Sequence, residues 1–134
     1  MIGIAVITHG KFADGIKDSL RMIVGEQENF ESLGLKEGQG LEEFKSEVKK
    51  VITSVNSGSG VLVFVDMFGA TPFNAVSMLR NELKADEVDV LMITGVNLPV
   101  LLEASTLRGG TTLEELANQL TESCRESIEL LDLR

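Results

Sequence analysis

The sequence predicts an α/β fold: a doubly wound, mainly parallel sheet with helices on both faces and a C-terminal antiparallel edge strand. Three observations carry this reading. Residues 2–7, 61–65 and 88–94 are nearly continuous apolar runs, the pattern of strands buried on both faces. Between them, apolar residues recur every three or four positions, the period of an amphipathic helix. The tail differs, because Ile128, Leu130, Leu131 and Leu133 are interleaved with Glu129 and Asp132, which is how a half-covered edge strand reads. An apolar strand at a chain terminus is a candidate for exchange between subunits.

The first strand leaves through Thr8-His9-Gly10. Phe12, Ile16, Leu20 and Ile23 then form one helical stripe, with Lys11, Asp14, Lys17, Asp18 and Arg21 outside it and Gly25 as a stop. A short strand over residues 29–35 and a Gly-rich stretch over 36–40 lead into a helix that turns Leu41, Phe44, Val48, Ile52 and Val55 inward. Glu42 and Glu43 favour its first turn. The loop Asn56-Ser57-Gly58-Ser59-Gly60 opens onto the third strand, which ends in Asp66. After Met67-Phe68-Gly69-Ala70, Thr71 is expected as an N-cap with Pro72 at the first helical position, where a missing N–H costs nothing. Val76, Leu79 and Leu83 face inward on that helix. The fourth strand exits through Gly95-Val96-Asn97 into a helix with Pro99 in its first turn, ending near Gly109-Gly110. Thr112 and Glu115 have capping-box spacing for a last helix carrying Leu113, Leu116 and Leu120.

A chain of 134 residues, 43% of them hydrophobic, is the size of one domain (residues 1–134) with its own core. Lys and Arg number 12 against 21 Asp and Glu, a net charge of −9. That balance argues against nucleic acid and anionic membranes, both of which attract positive charge. It suits a partner with a basic docking face. Cys124 is alone, so no intrachain disulfide forms; its helical setting and acidic neighbours describe a partly buried, unreactive thiol. The chain opens on a strand pattern and holds no apolar run of transmembrane length, so a cytoplasmic protein is expected. The absence of Trp and Tyr weakens any case for stacking a flavin or nucleobase.

The chemistry lies at the strand exits. Open α/β sheets bind beyond the carboxyl ends of their strands, at the point where strand order reverses. If the order reverses at strand one, strands one and three are neighbours, and His9 and Asp66 come within hydrogen-bond reach. A carboxylate bonded to one ring N–H fixes the tautomer, leaves the other nitrogen as a nucleophile and stabilises the imidazolium formed on substitution. The helix start at Thr71-Pro72 would offer free backbone N–H groups to an anion. Together these parts fit phosphoryl transfer through a phosphohistidine. Each part also has a plainer reading: a lone histidine caps a helix, an aspartate at a strand exit makes a turn, and Thr-Pro simply starts a helix. Met22, Met67, Met78 and Met92 are expected as core or crevice filling. Arg108 is expected as the electrostatic complement of a helix end or as a surface docking residue. One His and one Cys do not make a structural zinc site, and no metal or other cofactor is expected. No GxGxxG follows the first strand, and neither a P-loop nor a GxSxG elbow occurs.

Taken together, Ile7-Thr8-His9-Gly10, Gly25-Glu26-Gln27-Glu28-Asn29, Val65-Asp66-Met67-Phe68-Gly69-Ala70-Thr71-Pro72-Phe73-Asn74 and Gly95-Val96-Asn97-Leu98-Pro99 resemble a known family almost end to end. It is that of the IIA components of mannose-class (mannose/fructose/sorbose) phosphotransferase systems. The Thr-His-Gly element is weak alone; the Asp66 to Asn74 element, with Gly-Val-Asn-x-Pro downstream, is specific. The resemblance implies phosphorylation on His9, oriented by Asp66, with Gly10, Phe68, Gly69, Ala70 and Thr71 around the phosphoryl group. It implies the carrier protein HPr as donor and a histidine of a IIB component as acceptor during sugar uptake. It also implies a homodimer with a swapped antiparallel strand, which residues 127–133 match in position. Some members carry tryptophan in place of Phe68 and glycine in place of Ala70; the second difference narrows backbone freedom. Many relatives continue into a IIB domain, so the end at Arg134 leads one to expect IIB on a separate polypeptide, or a sequence cut before it. Three other readings stand beside this one: a phosphotransfer subunit feeding a dihydroxyacetone kinase, a regulatory module that senses carrier phosphorylation, and a flavodoxin-like small-molecule binder.

Overall fold

The computed structural model describes residues 1–134. Its strands are β1 (Gly3–His9), β2 (Phe30–Leu35), β3 (Val61–Val65) and β4 (Val90–Thr94). Its helices are α1 (Phe12–Val24), α2 (Leu41–Val55), α3 (Thr71–Met78), α4 (Arg80–Ala85), α5 (Leu98–Leu107) and α6 (Leu113–Arg125), with a 3₁₀ turn at Arg108–Gly110. The strands form one parallel sheet in the order β2-β1-β3-β4. The apolar runs led one to expect a parallel sheet, and the order reverses between β1 and β3, which makes these two strands neighbours.

Both faces of the sheet are covered, which is why β3 is apolar throughout and β1 is apolar up to Ile7. Ile4, Val6, Leu62 and Phe64 face α1, α5 and α6. Ala5, Ile7, Val61, Val63 and Val65 face α2, α3 and α4. Gly25 ends α1 at φ +80°, and Thr112 and Glu115 form the expected capping box on α6. Cys124 is half-buried against the α6 side of the core.

The structure corrects several expectations. On α1 the sheet-facing line is Ala13, Ile16 and Leu20, while Phe12 and Ile23 are exposed. The small Ala13 lets the helix lie close to the sheet and turns the flanking apolar residues to the rim. The third helix is two: Leu79, at φ −85° and ψ −3°, separates α3 from α4, though Val76, Leu79 and Leu83 all point inward. Strand β4 pairs only with β3 and is an edge, with Leu91 exposed and Val90 and Met92 half-buried. Met22, Met67 and Met78 are exposed rather than filling the core. Residues 127–134 form no strand within the chain, and Ile128, Leu130, Leu131 and Leu133 are all exposed.

Arg108 departs furthest from its surface reading, being only 3% exposed. Its Nη1 donates to the carbonyls of Ile2 and Asn29, each at 3.1 Å, and its Nη2 donates to the Glu28 carbonyl and the Gln27 side chain. The turn before β2, with Asn29 at φ +49°, leaves the Glu28 carbonyl without a backbone donor; the Ile2 carbonyl also lacks one, while the Asn29 carbonyl also accepts the Ile4 N–H at 2.9 Å. The planar guanidinium fork satisfies them together. Burial pulls its pKa down against the opposing pull of Glu28, and the side chain remains charged. Arg108→Ala would leave buried carbonyls unpaired and is expected to cost about 3 kcal/mol in urea denaturation, with Arg108→Lys recovering less than half. An unchanged unfolding midpoint in Arg108→Ala would contradict this anchoring role.

Candidate functional site

The loop after β1 is pinned from three directions. Thr8 is fully buried, and its Oγ1 accepts the Ala13 N–H at 2.8 Å while donating to the His9 carbonyl at 3.1 Å. It therefore does the capping that Lys11, the residue before α1, does not. Gly10 turns the chain at φ +54° and donates its N–H to the Leu35 carbonyl at 2.8 Å. Gly34 on β2 lies against this turn so closely that a Cβ there would stand 1.7 Å from the Gly10 carbonyl oxygen.

On the third side stands Asp66, one residue beyond β3. Its Oδ2 accepts the His9 backbone N–H at 2.9 Å and lies 2.6 Å from His9 Nδ1. Its Oδ1 accepts the Met67 N–H at 3.0 Å. Burial alone raises the pKa of this carboxyl, but the His9 N–H, the His9 ring and the Met67 N–H outweigh burial and hold it below the ordinary value. The carboxylate only accepts, so the hydrogen at Nδ1 belongs to the imidazole, and neutral His9 carries its lone pair at Nε2. Nε2 makes no hydrogen bond, and the His9 side chain is 46% exposed against 12% for Asp66. A fixed tautomer with a bare Nε2 is the arrangement of a nucleophile or a proton acceptor.

The connection after Asp66 supplies the rest of the crevice. Phe68 is exposed and stacks on Phe73, with ring centroids 4.5 Å apart. Gly69 holds φ +79°, a left-handed conformation that disfavours any side chain. The cap of α3 is Ala70 rather than Thr71, because the Ala70 carbonyl accepts the first helical bond, from Asn74. Thr71 and Pro72 are the first two helical residues, and the Thr71 hydroxyl bonds no group of its own helix. Thus His9 and Asp66 meet directly and Gly10 forms the turn beside them, while Phe68, Gly69, Ala70 and Thr71 follow Asp66 without a bond to His9. Thr8 and Gly34 went unread: a cap five residues before its N–H partner has no standard spacing, and one glycine in a strand signals no particular neighbour. No three of the His, Cys, Asp and Glu side chains converge to hold a metal ion.

The family described as PTS system fructose IIA component matches residues 3–121. The chain belongs to the mannose/fructose family of phosphotransferase-system EIIA components. It is 32% identical over 131 residues to the fructose-specific EIIA component of Bacillus subtilis (strain 168), spanning 97% of this chain and 86% of that one. It is 31% identical to the mannose-specific EIIAB component of Escherichia coli (strain K12), again over 97% of this chain but only 39% of that protein. Among solved structures, EIIA from Streptococcus agalactiae superposes with a TM-score of 0.87 at 29% identity, covering 97% of each chain. EIIA proteins act as phosphotransferases in the phosphorelay. No helix of this EIIA is long and apolar enough to cross a membrane.

Because the folded pKa of Asp66 is depressed, its contribution to stability is present above the unfolded carboxyl value and is lost as pH falls through the folded one. The stability difference between wild type and Asp66→Asn is therefore expected to persist at about pH 5 and to shrink towards zero below about pH 4. Denaturant melts of both proteins across that range check the sign.

Proposed function

We propose that this EIIA is a cytoplasmic phosphocarrier that accepts a phosphoryl group from phospho-HPr on His9 Nε2 and passes it to a IIB component for sugar uptake. The observation that carries the reading is the 2.6 Å contact between His9 Nδ1 and Asp66, which leaves Nε2 bare in an open crevice. The Nε2 lone pair of neutral His9 attacks phosphorus in line. The donor's N–P bond breaks, and its electron pair returns to the donor imidazole. The Nδ1 hydrogen stays on His9, so the product is a cationic phosphoimidazole paired with the Asp66 carboxylate. Gly10 and the Phe68 to Thr71 segment surround the phosphoryl group, and the unpaired N–H groups at the start of α3 donate to its oxygens. Transfer to IIB repeats the step in reverse, with a IIB histidine as the nucleophile.

We further propose a homodimer in which each tail, residues 127–134, adds an antiparallel strand to the partner's β4 edge. A groove of about 750 Å³ runs along that edge, lined by Val76, Leu83, Val90 and Met92 among others, with Arg80 and Lys84 in its wall. The tail brings Ile128, Leu130, Leu131 and Leu133, with Glu129 and Asp132 among them, complementary in both polarity and charge. An unpaired edge and an exposed apolar tail are each a liability that pairing removes.

Phosphoenolpyruvate-dependent labelling with enzyme I and HPr tests the carrier role. Wild type is expected to take up an acid-labile, base-stable phosphate and His9→Ala none. Asp66→Asn should fold but transfer at least about a hundredfold more slowly. Unlabelled wild type in the presence of charged HPr would refute the reading. For the dimer, deleting residues 127–134 is expected to shift the protein towards monomer in light scattering, and an unchanged mass would refute strand exchange.

A further inference from the structure

Asn74 stands three residues into α3 and takes no part in the chemistry described so far. Its side-chain Nδ2 donates to the Gly69 carbonyl at 3.3 Å, and its backbone N–H donates to the Ala70 carbonyl at 2.9 Å. The side-chain assignment is settled by its partner, since a carbonyl only accepts and the amide must present nitrogen to it. One residue thus holds two successive peptide groups by their oxygens.

A planar trans peptide points its C=O and its N–H in opposite directions. Holding the Gly69 and Ala70 carbonyls towards Asn74 therefore aims the N–H groups of Ala70 and Thr71 away from it. Neither N–H has a partner in the protein. Gly69, at φ +79° with open space where a Cβ would be, is the joint on which the first of these peptides could otherwise rotate. The Phe68–Phe73 stack closes the loop over the same turn but makes no bond to either peptide.

We infer that Asn74 is a positioning residue for phosphoryl transfer: its amide locks the Gly69–Ala70 peptide so that the Ala70 and Thr71 N–H groups face the incoming phosphoryl oxygens. This rests on the carrier role of His9. Asn74 touches no reacting atom and acts only through the two N–H groups it orients. Donors fixed in advance stabilise a developing charge far better than donors that must first rotate into place.

The test compares wild type, Asn74→Ala and Asn74→Asp; the last keeps the shape but loses the donor. Single-turnover transfer from phospho-HPr is expected to slow roughly ten- to a hundredfold in both variants. The half-saturating HPr concentration and the melting temperature should stay at wild-type values. Phosphorylation of wild type should move the Ala70 and Thr71 amide proton resonances downfield, and in Asn74→Ala that displacement should be lost or much reduced. Wild-type transfer rates in both variants would overturn the inference, as would a loss seen only in half-saturation, which would make Asn74 a docking residue. If wild type itself is not labelled on His9, the carrier reading fails and this inference falls with it; labelled wild type with unaffected variants removes this inference alone.

Discussion

One carboxylate oxygen, Asp66 Oδ2, accepts hydrogen bonds from both the backbone N–H and the ring Nδ1 of His9, and the rest of the site depends on that pair of bonds. The backbone bond fixes where the histidine stands and the side-chain bond fixes which way its ring faces, so a single acceptor removes both freedoms. The other oxygen takes the Met67 N–H, which ties the start of the following loop to the same carboxylate. This geometry needs β1 and β3 to be neighbours in one register, with Ile7 beside Val65. Register in a sheet buried on both faces is held by every side chain along it, because a one-residue slip would turn each to the wrong layer. The two apolar cores are thus what keeps His9 and Asp66 within reach of each other.

The parts of this arrangement that were legible in the sequence follow simple periodicities. Continuous apolar runs marked β1 and β3 as buried strands. A strand exit is where a doubly wound sheet displays its chemistry, so position made His9 and Asp66 candidates, each with a plainer reading beside it. The parts that were not legible depend on contacts between distant segments. Arg108 reads as a cation near a helix end, and nothing local tells that the turn before β2 will present its carbonyls to it. Phe12 and Ile23 fit the helical stripe as well as Ile16 does, and only the close approach allowed by Ala13 decides which of them meet the sheet. The β4 run is as apolar as that of β1, yet within the chain it is an edge, because the one remaining segment with a strand pattern, residues 127–133, lies away from it.

That mismatch between an apolar edge and an apolar tail is informative about energetics. Leu91 at the edge and Ile128, Leu130, Leu131 and Leu133 in the tail are exposed together in a chain whose two central strands are covered on both faces. Burial of such side chains stabilises by roughly 1.5–3 kcal/mol each, so a pairing that covers them has a strong driving force. The edge groove is remote in sequence from the His9 loop, and α3 and α4, which wall it, begin at the Phe68 to Thr71 turn. An exchanged strand would therefore brace the helix whose first turn completes the crevice, linking assembly to the rigidity of the site without placing a partner residue in it.

The openness of the crevice is itself an argument about what enters it. His9 is half-exposed, and Phe12, Met67 and Phe68, which follow His9 and Asp66 in the chain, are exposed apolar side chains. A small substrate is usually held in a concave pocket that covers most of its surface, and the groove of about 750 Å³ in this protein lies along β4 rather than at His9. A protein partner needs the opposite: a protruding, reachable nucleophile with apolar groups around it that become buried only on docking. A net charge of −9 would act at longer range on a partner with a basic face, raising the rate of encounter more than the lifetime of the complex. Fast association with modest affinity is what a relay requires, because a carrier that must meet a donor and then an acceptor on the same surface gains nothing from holding either one.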